Sequence, residues 1–443
     1  MKTHLDYPGA LSYLLSLQKF GIKLGLSNIG LLLQALGSPH LRFPSVLIGG
    51  TNGKGSTAAF LDSILRQAGY RVGLYTSPHL LDFRERIRVN GEIIPEEEVV
   101  KGVNSIRDHI ATLLAPRPSS APRLPFHPTF FEITTALAFH HFAREKVDLA
   151  VVEVGMGGRY DATNVLPSQV SVITNVDWDH QEYLGKDLSQ IAAEKAGIIK
   201  EGGWLISGVD HPEAREIVDR MAAEKGARTL YLGRHIHYRF HSSSWNGQEI
   251  SLQGFRATYP QLKIGLLGGH QASNAALAVG AAEVLTELGI PVGKDHIYAG
   301  LAQARWPARM QIVGNRPLLL VDSAHNPGGA RALAETVRQL GAPGRLFLVF
   351  GVLEDKDWRS MLEILAPLAE GIILCRPPSE RAADPYHLKG ELAGRFSRIE
   401  VQPEVAEAIF RARSQATSGD TILIAGSLFT AAAALKALGL KVP

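Results

Sequence analysis

Short runs of Val, Ile and Leu alternate along this chain with longer stretches of helical spacing. The early runs are SVLIGG, RVGLY, DLAVVEVG, VSVITNV and WLISG. Each is apolar at successive positions, so both faces are buried, as in the central strands of a mostly parallel sheet. Between them, TAAFLDSILRQAG and TFFEITTALAFHHFAREK space their apolar residues for helices. Strand and helix in alternation predict an α/β fold with right-handed crossovers. From Thr229 to Gly265 the texture changes to alternating polar and apolar positions with an Asn246-Gly247 turn signal. That segment predicts a small antiparallel hairpin region attached to the main sheet. The Ala-rich helix QASNAALAVGAAEVLTELG follows. A second α/β series then begins, with PLLLVD, RLFLVFG, GIILC and TILIAG as its strands. The boundary falls near Leu301–Trp306 and divides the chain into residues 1–300 and 301–443. The Pro-rich stretch APRPSSAPRLPFHP is a loop inside the first part.

A length of 443 residues agrees with two or three domains at about 150 residues each. The formal net charge of +3 argues against a general nucleic-acid binder. Cys375 is the single cysteine, which excludes an intramolecular disulfide and cysteine clusters for zinc or iron–sulfur; its run, GIILC, reads as a buried strand. Asp6 and Pro8 fall where a secretory segment would need an apolar core. The most membrane-like stretch, ILIAGSLFTAAAALKALGL, is interrupted by Gly426-Ser427 and Lys436, so it is too short for the ~20 residues of a span. It predicts a buried strand followed by a helix. The expected setting is reducing and cytoplasmic, without membrane or nucleic-acid partners.

The stretch VLIGGTNGKGSTAAFL, from Val46, sets a strand, a glycine loop, a lysine and a helix in series. That order is P-loop geometry. Backbone N–H groups from Thr51, Asn52, Gly53, Lys54 and Gly55 converge on a phosphate, and the helix adds its positive N-terminal end. Lys54 reaches the β- and γ-phosphates, and Ser56 or Thr57 assists with phosphate or Mg²⁺. The common spacing is not met strictly, because Gly55 stands between Lys54 and Ser56. The loop by itself does not separate a kinase from an ATPase or a ligase.

GTNGKGST resembles the nucleotide loop of the Mur ligase superfamily. YTSPHLLDFRERIRVNG, EVGMGGRYDATN, TNVDWDHQEYLG, AAEKAGIIK, RWPARMQ and VDSAHNPGG resemble, in that order, the folylpolyglutamate synthase/dihydrofolate synthase family. The resemblance implies an N-terminal P-loop ATP-binding domain and a C-terminal Rossmann-like domain. It implies an ATP-dependent ligase. Carboxylate is a poor electrophile, so ATP phosphorylates it and an amine then displaces the phosphate. Such a site needs oxygen ligands for metal, a phosphate cradle and a dry pocket.

Ser77, Glu153 and His180 lie at or just beyond strand C-terminal ends, where open α/β sheets place ligands. By resemblance, Ser77 and Glu153 hold one Mg²⁺, while Glu153 and His180 lie near a second. Ordinary accounts are a turn serine, a strand-end ion pair and a loop hydrogen bond. Lys195 reads as a solvated helix lysine paired with Glu194 or Glu201. The resemblance implies instead a lysine carbamylated by CO₂ that helps hold the second magnesium. In the second domain it places Asp322 and His325 near the nucleotide and Arg309 on phosphates, and in the first it places Asn274 on the adenine side. Closure of the two domains is then required to complete the site. The family commonly has Gly where Ala308 and Ser323 stand, changes that bear on the local turn.

For the acid substrate, GIKLGLSNI resembles the pterin-contacting segment, which gives Gly21, Ile22, Lys23 and Leu24. PTFFEI adds Thr129, Phe130 and Phe131, and GGRYDAT adds Tyr160, Asp161 and Ala162. Aromatic side chains suit a flat heteroaromatic ring, and Asp can accept from an aminopyrimidine edge; helix core packing is the alternative for the phenylalanines. The expected substrates are dihydropteroate or a reduced folate together with L-glutamate, and the expected state is a monomer. The rival readings are a Mur-type ligase on a peptidoglycan precursor and a P-loop kinase or ATPase that forms no amide.

Overall fold

The computed structural model describes residues 4–21, 23, 25–116, 122–179, 181–396 and 398–440. Of the residues singled out above, Ile22, Leu24 and His180 lie outside these. The first eight strands are β1 (Ser45–Gly49), β2 (Val72–Tyr75), β3 (Ile87–Val89), β4 (Glu92–Ile93), β5 (Leu149–Glu153), β6 (Val170–Ile173), β7 (Trp204–Ser207) and β8 (Arg228–Tyr231). They form one sheet in the order β4-β3-β2-β5-β1-β6-β7-β8. Only β3 and β4 break the parallel run, at the β2–β3 and β3–β4 pairings. The five apolar runs read from the sequence are its strands β1, β2, β5, β6 and β7, and the residues of β1, β2, β5 and β6 are buried throughout. β1 lies between β5 and β6 and runs parallel to both; β2 and β5 are laid down on one side of it and β6 on the other, so the loops following β1, β2, β5 and β6 collect at one end of the sheet. That is the switch-point geometry at which such sheets bind ligands.

The Thr229–Gly265 region does not extend this sheet beyond β8. It builds a separate three-stranded sheet from β9 (His237–Ser244), β10 (Gly247–Gln253) and β11 (Thr258–Ile264). Its outer strand β9 is mostly exposed, so nothing buries it against a larger sheet. The last six strands are β12 (Gln311–Asn315), β13 (Leu318–Val321), β14 (Leu346–Phe350), β15 (Gly371–Leu374), β16 (Ile399–Val401) and β17 (Thr421–Ala425). They form a sheet in the order β12-β13-β17-β14-β15-β16, with β12 antiparallel to β13 and the rest parallel. Cys375 follows β15 directly and is buried. The apolar C-terminal stretch is β17 followed by the helix Leu428–Ala437. Among the described residues no helix is long and apolar enough to cross a membrane.

The chain divides into two compact units. The first holds residues 1–238, 252–259 and 274–301; the second holds 239–251, 260–273 and 302–443. Each has its own apolar core, with Phe60, Tyr75, Phe139 and Phe142 fully buried in the first and Phe347 and Phe350 in the second. Helix starts follow local chemistry. In Phe130–Arg144, Thr129 accepts from the Glu132 amide while the Glu132 carboxylate accepts from the Thr129 amide. Such a capping box is worth about 1 kcal/mol, and it fixes where the two phenylalanines emerge.

Candidate active site

After β1 the chain turns through Gly50 to Gly53 into the helix Lys54–Gln67. Gly50 and Gly53 hold φ of +137° and +84°, a region that favours glycine. A Cβ on Gly50 would stand 1.9 Å from Thr174 Oγ1, and one on Gly53 would stand 2.3 Å from Asn274 Oδ1. Space as well as conformation therefore excludes side chains here, and Asn274 lies against the loop. The loop is tied to the segment after β6. Thr51 N–H donates to Asn175 O at 3.1 Å, and Asn52 N–H donates to Asn175 Oδ1 at 2.9 Å. These two amides, expected to converge on phosphate, are already spent inside the protein. The amides of Lys54 and Gly55 lie in the first helical turn, ahead of the bond from Thr57 N–H to Gly53 O. Among the described residues Thr57 Oγ1 is buried without a hydrogen-bond partner.

Two ammonium groups meet at one carbonyl of this loop. Lys54 Nζ donates to Gly50 O at 3.1 Å and to Thr51 O at 3.0 Å, and Lys195 Nζ donates to the same Gly50 O at 2.9 Å. Lys195 is 3% exposed, so the solvated account of it fails. Glu194 lies near Arg159 and Glu201 near Lys225, and neither is its partner. Burial pushes the Lys195 amine down to about 7; the Lys54 charge acts in the same direction and Asp179 opposes.

Beyond β2, Ser77 N–H donates to Glu153 Oε2 at 3.1 Å, which joins the ends of β2 and β5. Glu153 is buried. The loop from Ser77 is folded tightly around Glu85, whose carboxylate accepts from the amides of Leu80, Leu81 and Asp82 at 2.8, 2.8 and 2.7 Å. Among the described residues no group of three or more His, Cys, Asp or Glu side chains gathers as a metal centre.

The residues expected around the acid substrate also come together in part. Phe130 and Phe131 are partly exposed at the start of their helix and pack against the apolar core with the rest of their surface. Phe131 closes on the loop after β5, where a Cβ on Gly155 would stand 2.5 Å from its ring and 3.1 Å from Asp161 Oδ2. Asp161 is committed locally: Oδ2 accepts from Met156 N–H at 3.0 Å, and Oδ1 accepts from Thr163 N–H at 3.0 Å and Thr163 Oγ1 at 2.6 Å. Burial raises its pKa against those hydrogen bonds. Tyr160 is exposed and Ala162 buried. Gly21 ends a short 3₁₀ turn, and Lys23 places its ammonium 4.0 Å from the Phe126 ring centre, in the loop that leads to Thr129.

In the second unit a turn at Ala308–Met310 presents Arg309. Ala308 and Met310 have φ of +54° and +44°, left-handed backbone in residues that carry a Cβ. Every strained position is braced. Ala308 N–H donates to Gln311 Oε1 at 2.9 Å, and Ala308 O accepts from Ser323 N–H at 3.0 Å and Ser323 Oγ at 3.1 Å. Met310 N–H donates to Asp322 Oδ2 at 2.8 Å, while Asp322 Oδ1 accepts from Ala324 N–H at 2.8 Å. The two positions at which this chain departs from the resembled pattern, Ala308 and Ser323, therefore touch. His325 Nδ1 lies 3.0 Å from Ser323 O, and Asn326 caps the next helix by accepting from Gly329 N–H at 2.7 Å. His270, which the sequence did not single out, is half-buried beside Asp322 and Arg309; desolvation lowers its pKa and Asp322 opposes. Asn175, Gln311 and Ser323 were likewise not legible as site residues, since each acts through backbone groups distant in sequence.

Residues 124–282 match the Mur ligase middle domain, and residues 308–428 match the Mur ligase glutamate ligase domain. The chain is 36% identical over 429 residues to a dihydrofolate synthase/folylpolyglutamate synthase of Bacillus subtilis (strain 168), covering 96% of this chain and 97% of that one. To the protein of that name from Escherichia coli (strain K12) it is 33% identical, covering 95% and 93%. Among solved structures, Mycobacterium tuberculosis folylpolyglutamate synthase complexed with ADP and AMPPCP superposes with a TM-score of 0.90 at 33% identity, covering 99% of this chain and 100% of that one. E. coli FolC in complex with DHPP and ADP gives 0.87 at 31%, covering 98% and 99%. With the glycine loop, the paired lysines and the Ser77–Glu153 contact at one sheet end, this chain belongs to the dihydrofolate synthase/folylpolyglutamate synthase family of Mur ligases.

Proposed function

We propose that this protein is an ATP-dependent ligase that joins L-glutamate to dihydropteroate and to the glutamate tail of reduced folates, acting as a monomer in the cytoplasm. The observation that carries the reading is the meeting of Lys54 and Lys195 at Gly50 O, in the first unit that also holds the Ser77–Glu153 contact. In the first step a carboxylate oxygen of the acid attacks the γ-phosphorus of ATP. The bond from that phosphorus to the β,γ-bridging oxygen breaks, and ADP leaves. In the second step the glutamate nitrogen attacks the acyl carbon, the carbon–oxygen bond to phosphate breaks, phosphate leaves, and the amine proton passes to solvent.

The chain's own groups divide the work. Lys54 and the first-turn amides of Lys54, Gly55 and Ser56 offset phosphate charge. Thr51, Asn52, Gly53 and Thr57 shape that cradle. Asn274, Arg309, Asp322 and His325 take the rest of the nucleotide. Gly21, Lys23, Thr129, Phe130, Phe131, Tyr160 and Ala162 bind the acid, a role the family resemblance extends to Ile22 and Leu24, while Asp161 holds the loop that carries Tyr160 and Ala162. Oxygen donors suit magnesium, so Ser77 and Glu153 fit one ion. An unmodified Lys195 ammonium does not fit a second; carbamylation by CO₂ makes it a carboxylate that does, beside Glu153 and His180. An amine lowered to about 7 supplies the neutral nitrogen that CO₂ requires. When bound, magnesium shields the triphosphate charge.

The test is one assay with ATP, Mg²⁺ and L-glutamate, comparing dihydropteroate with a reduced folate as acceptor. The expected result is one amide per ADP with both acceptors. ADP formation without amide would replace this reading with a simple ATPase, and amide formation only on a peptidoglycan precursor would replace it with the other Mur branch.

A further inference from the structure

Arg86 ends the 3₁₀ turn Phe83–Arg86, just before β3, and is buried. Its backbone is fixed, because Thr76 N–H donates to Arg86 O at 3.0 Å and β3 pairs with β2 from Tyr75↔Ile87 onward. Its guanidinium lies over the Phe130 ring, 5.2 Å from the centre. Among the described residues its one side-chain hydrogen bond leaves from Nε, to His79 Nδ1 at 2.8 Å. The terminal nitrogens, which form the fork, make no ion pair with a described carboxylate.

The carboxylates whose charge reaches it are Glu153 and Glu85. Glu85 already accepts from three backbone amides, and Glu153 accepts from Ser77 N–H. A buried cation without a paired anion is costly to keep, and a guanidinium stacked on an aromatic face keeps its planar edge free for bidentate contact with a carboxylate. The guanidinium thus lies over the Phe130 ring and within reach of the Glu153 charge, the first assigned above to the flat ring of the acid and the second to metal.

Building on that assignment, we infer that Arg86 is the residue that binds the carboxylate of the pteroate-type acid, the group that receives the phosphoryl. It holds one oxygen of the acid while leaving the other to attack.

The test uses the full chain with Arg86→Met, which keeps a stem of similar size without charge, and with Arg86→Lys. Binding constants are measured for dihydropteroate, for its carboxamide analogue and for ATP, together with the KM for glutamate. Arg86→Met is expected to weaken dihydropteroate by about a hundredfold and to leave carboxamide, ATP and glutamate within about twofold of wild type, an order-of-magnitude window for lost charge alone. Arg86→Lys keeps charge but loses the fork and is expected to fall between. ATP affinity reports an intact fold, and if Arg86→Met fails that check the same acid-against-amide comparison is read in Arg86→Lys. Equal weakening of acid and carboxamide would overturn the proposal in favour of a packing role, and a rise confined to the glutamate KM would move the guanidinium to the other substrate. A wild-type protein that binds ATP but neither pteroyl compound would overturn the folate reading itself, which separates that failure from the failure of Arg86 alone.

Discussion

Two turns in this chain hold left-handed backbone beside residues proposed for the nucleotide, and they are made of different materials. After β1 the positions are Gly50 and Gly53, where no side chain fits: Thr174 Oγ1 and Asn274 Oδ1 occupy the space a Cβ would need. In the second unit the positions are Ala308 and Met310, each with a Cβ, and the conformation survives because Gln311, Asp322 and Ser323 take up the adjacent backbone groups. Glycine makes such a turn cheap in the folded state and lets its backbone approach a ligand closely. Bracing costs hydrogen-bonding groups but yields a turn whose shape is over-determined. A loop that wraps phosphate needs the first property, and a turn that aims one arginine needs the second.

That contrast is broken most severely at Gly50. Gly50→Ala places a methyl group on Thr174 and strains φ, so a loss of about 3 kcal/mol or more is expected. Urea unfolding with and without ATP is the measurement, and a wild-type midpoint with intact ATP stabilisation would contradict the account. Lys195→Met removes a desolvated cation from beside Lys54. A lysine whose folded pKa lies near 7, below its unfolded value, is charged at a cost in the folded state at every pH below 7. That cost fades as pH rises from 7 toward about 10, the unfolded lysine range. The variant is therefore expected to melt several degrees above wild type at pH 6.5, roughly what 1–2 kcal/mol gives in a chain of this size. The difference should shrink by pH 9, while glutamylation is lost. Melting curves that stay parallel across that range would show that Lys195 is not desolvated.

Asp322→Ala strips the Met310 and Ala324 amides of their acceptor and is expected to cost about 2 kcal/mol. Calorimetry measures it, and an unchanged melting temperature would mean the turn does not depend on that brace. Ser323→Ala removes one of three donors to Ala308 O and is expected to cost about 1 kcal/mol. The smallest effect falls at Ala308→Gly, where relief of left-handed strain and added freedom in the unfolded chain offset to within about 0.5 kcal/mol. Combined, Ser323→Ala and Ala308→Gly should cost less than the sum of the two, because glycine no longer needs the clamp; strict additivity in a double-mutant cycle would deny the coupling.

Apolar runs buried on both faces identify the parallel strands without further help, since burial on two sides leaves an unbroken apolar run where a strand with one water-facing side alternates. The strands the pattern did not single out are those at edges or outside the parallel run, such as β3, β4, β12 and β16, which are short or carry mixed polarity. The antiparallel region shows a related limit. Its turn at Asn246-Gly247 was legible, but whether it joined β8 or stood apart depended on pairings that alternation cannot rank.

By itself, the sequence determined the sheet type and the glycine loop, because each is written in contiguous residues whose pattern carries its own physical meaning. Tertiary structure alone decided that Lys195 is buried against Gly50 O, that Asp161 is spent on its own loop, that Asn175 consumes the Thr51 and Asn52 amides, and that Ser323 clamps Ala308. Those facts depend on which distant groups come within about 3 Å of one another, and hydrogen bonding and desolvation act over that distance in space rather than along the chain.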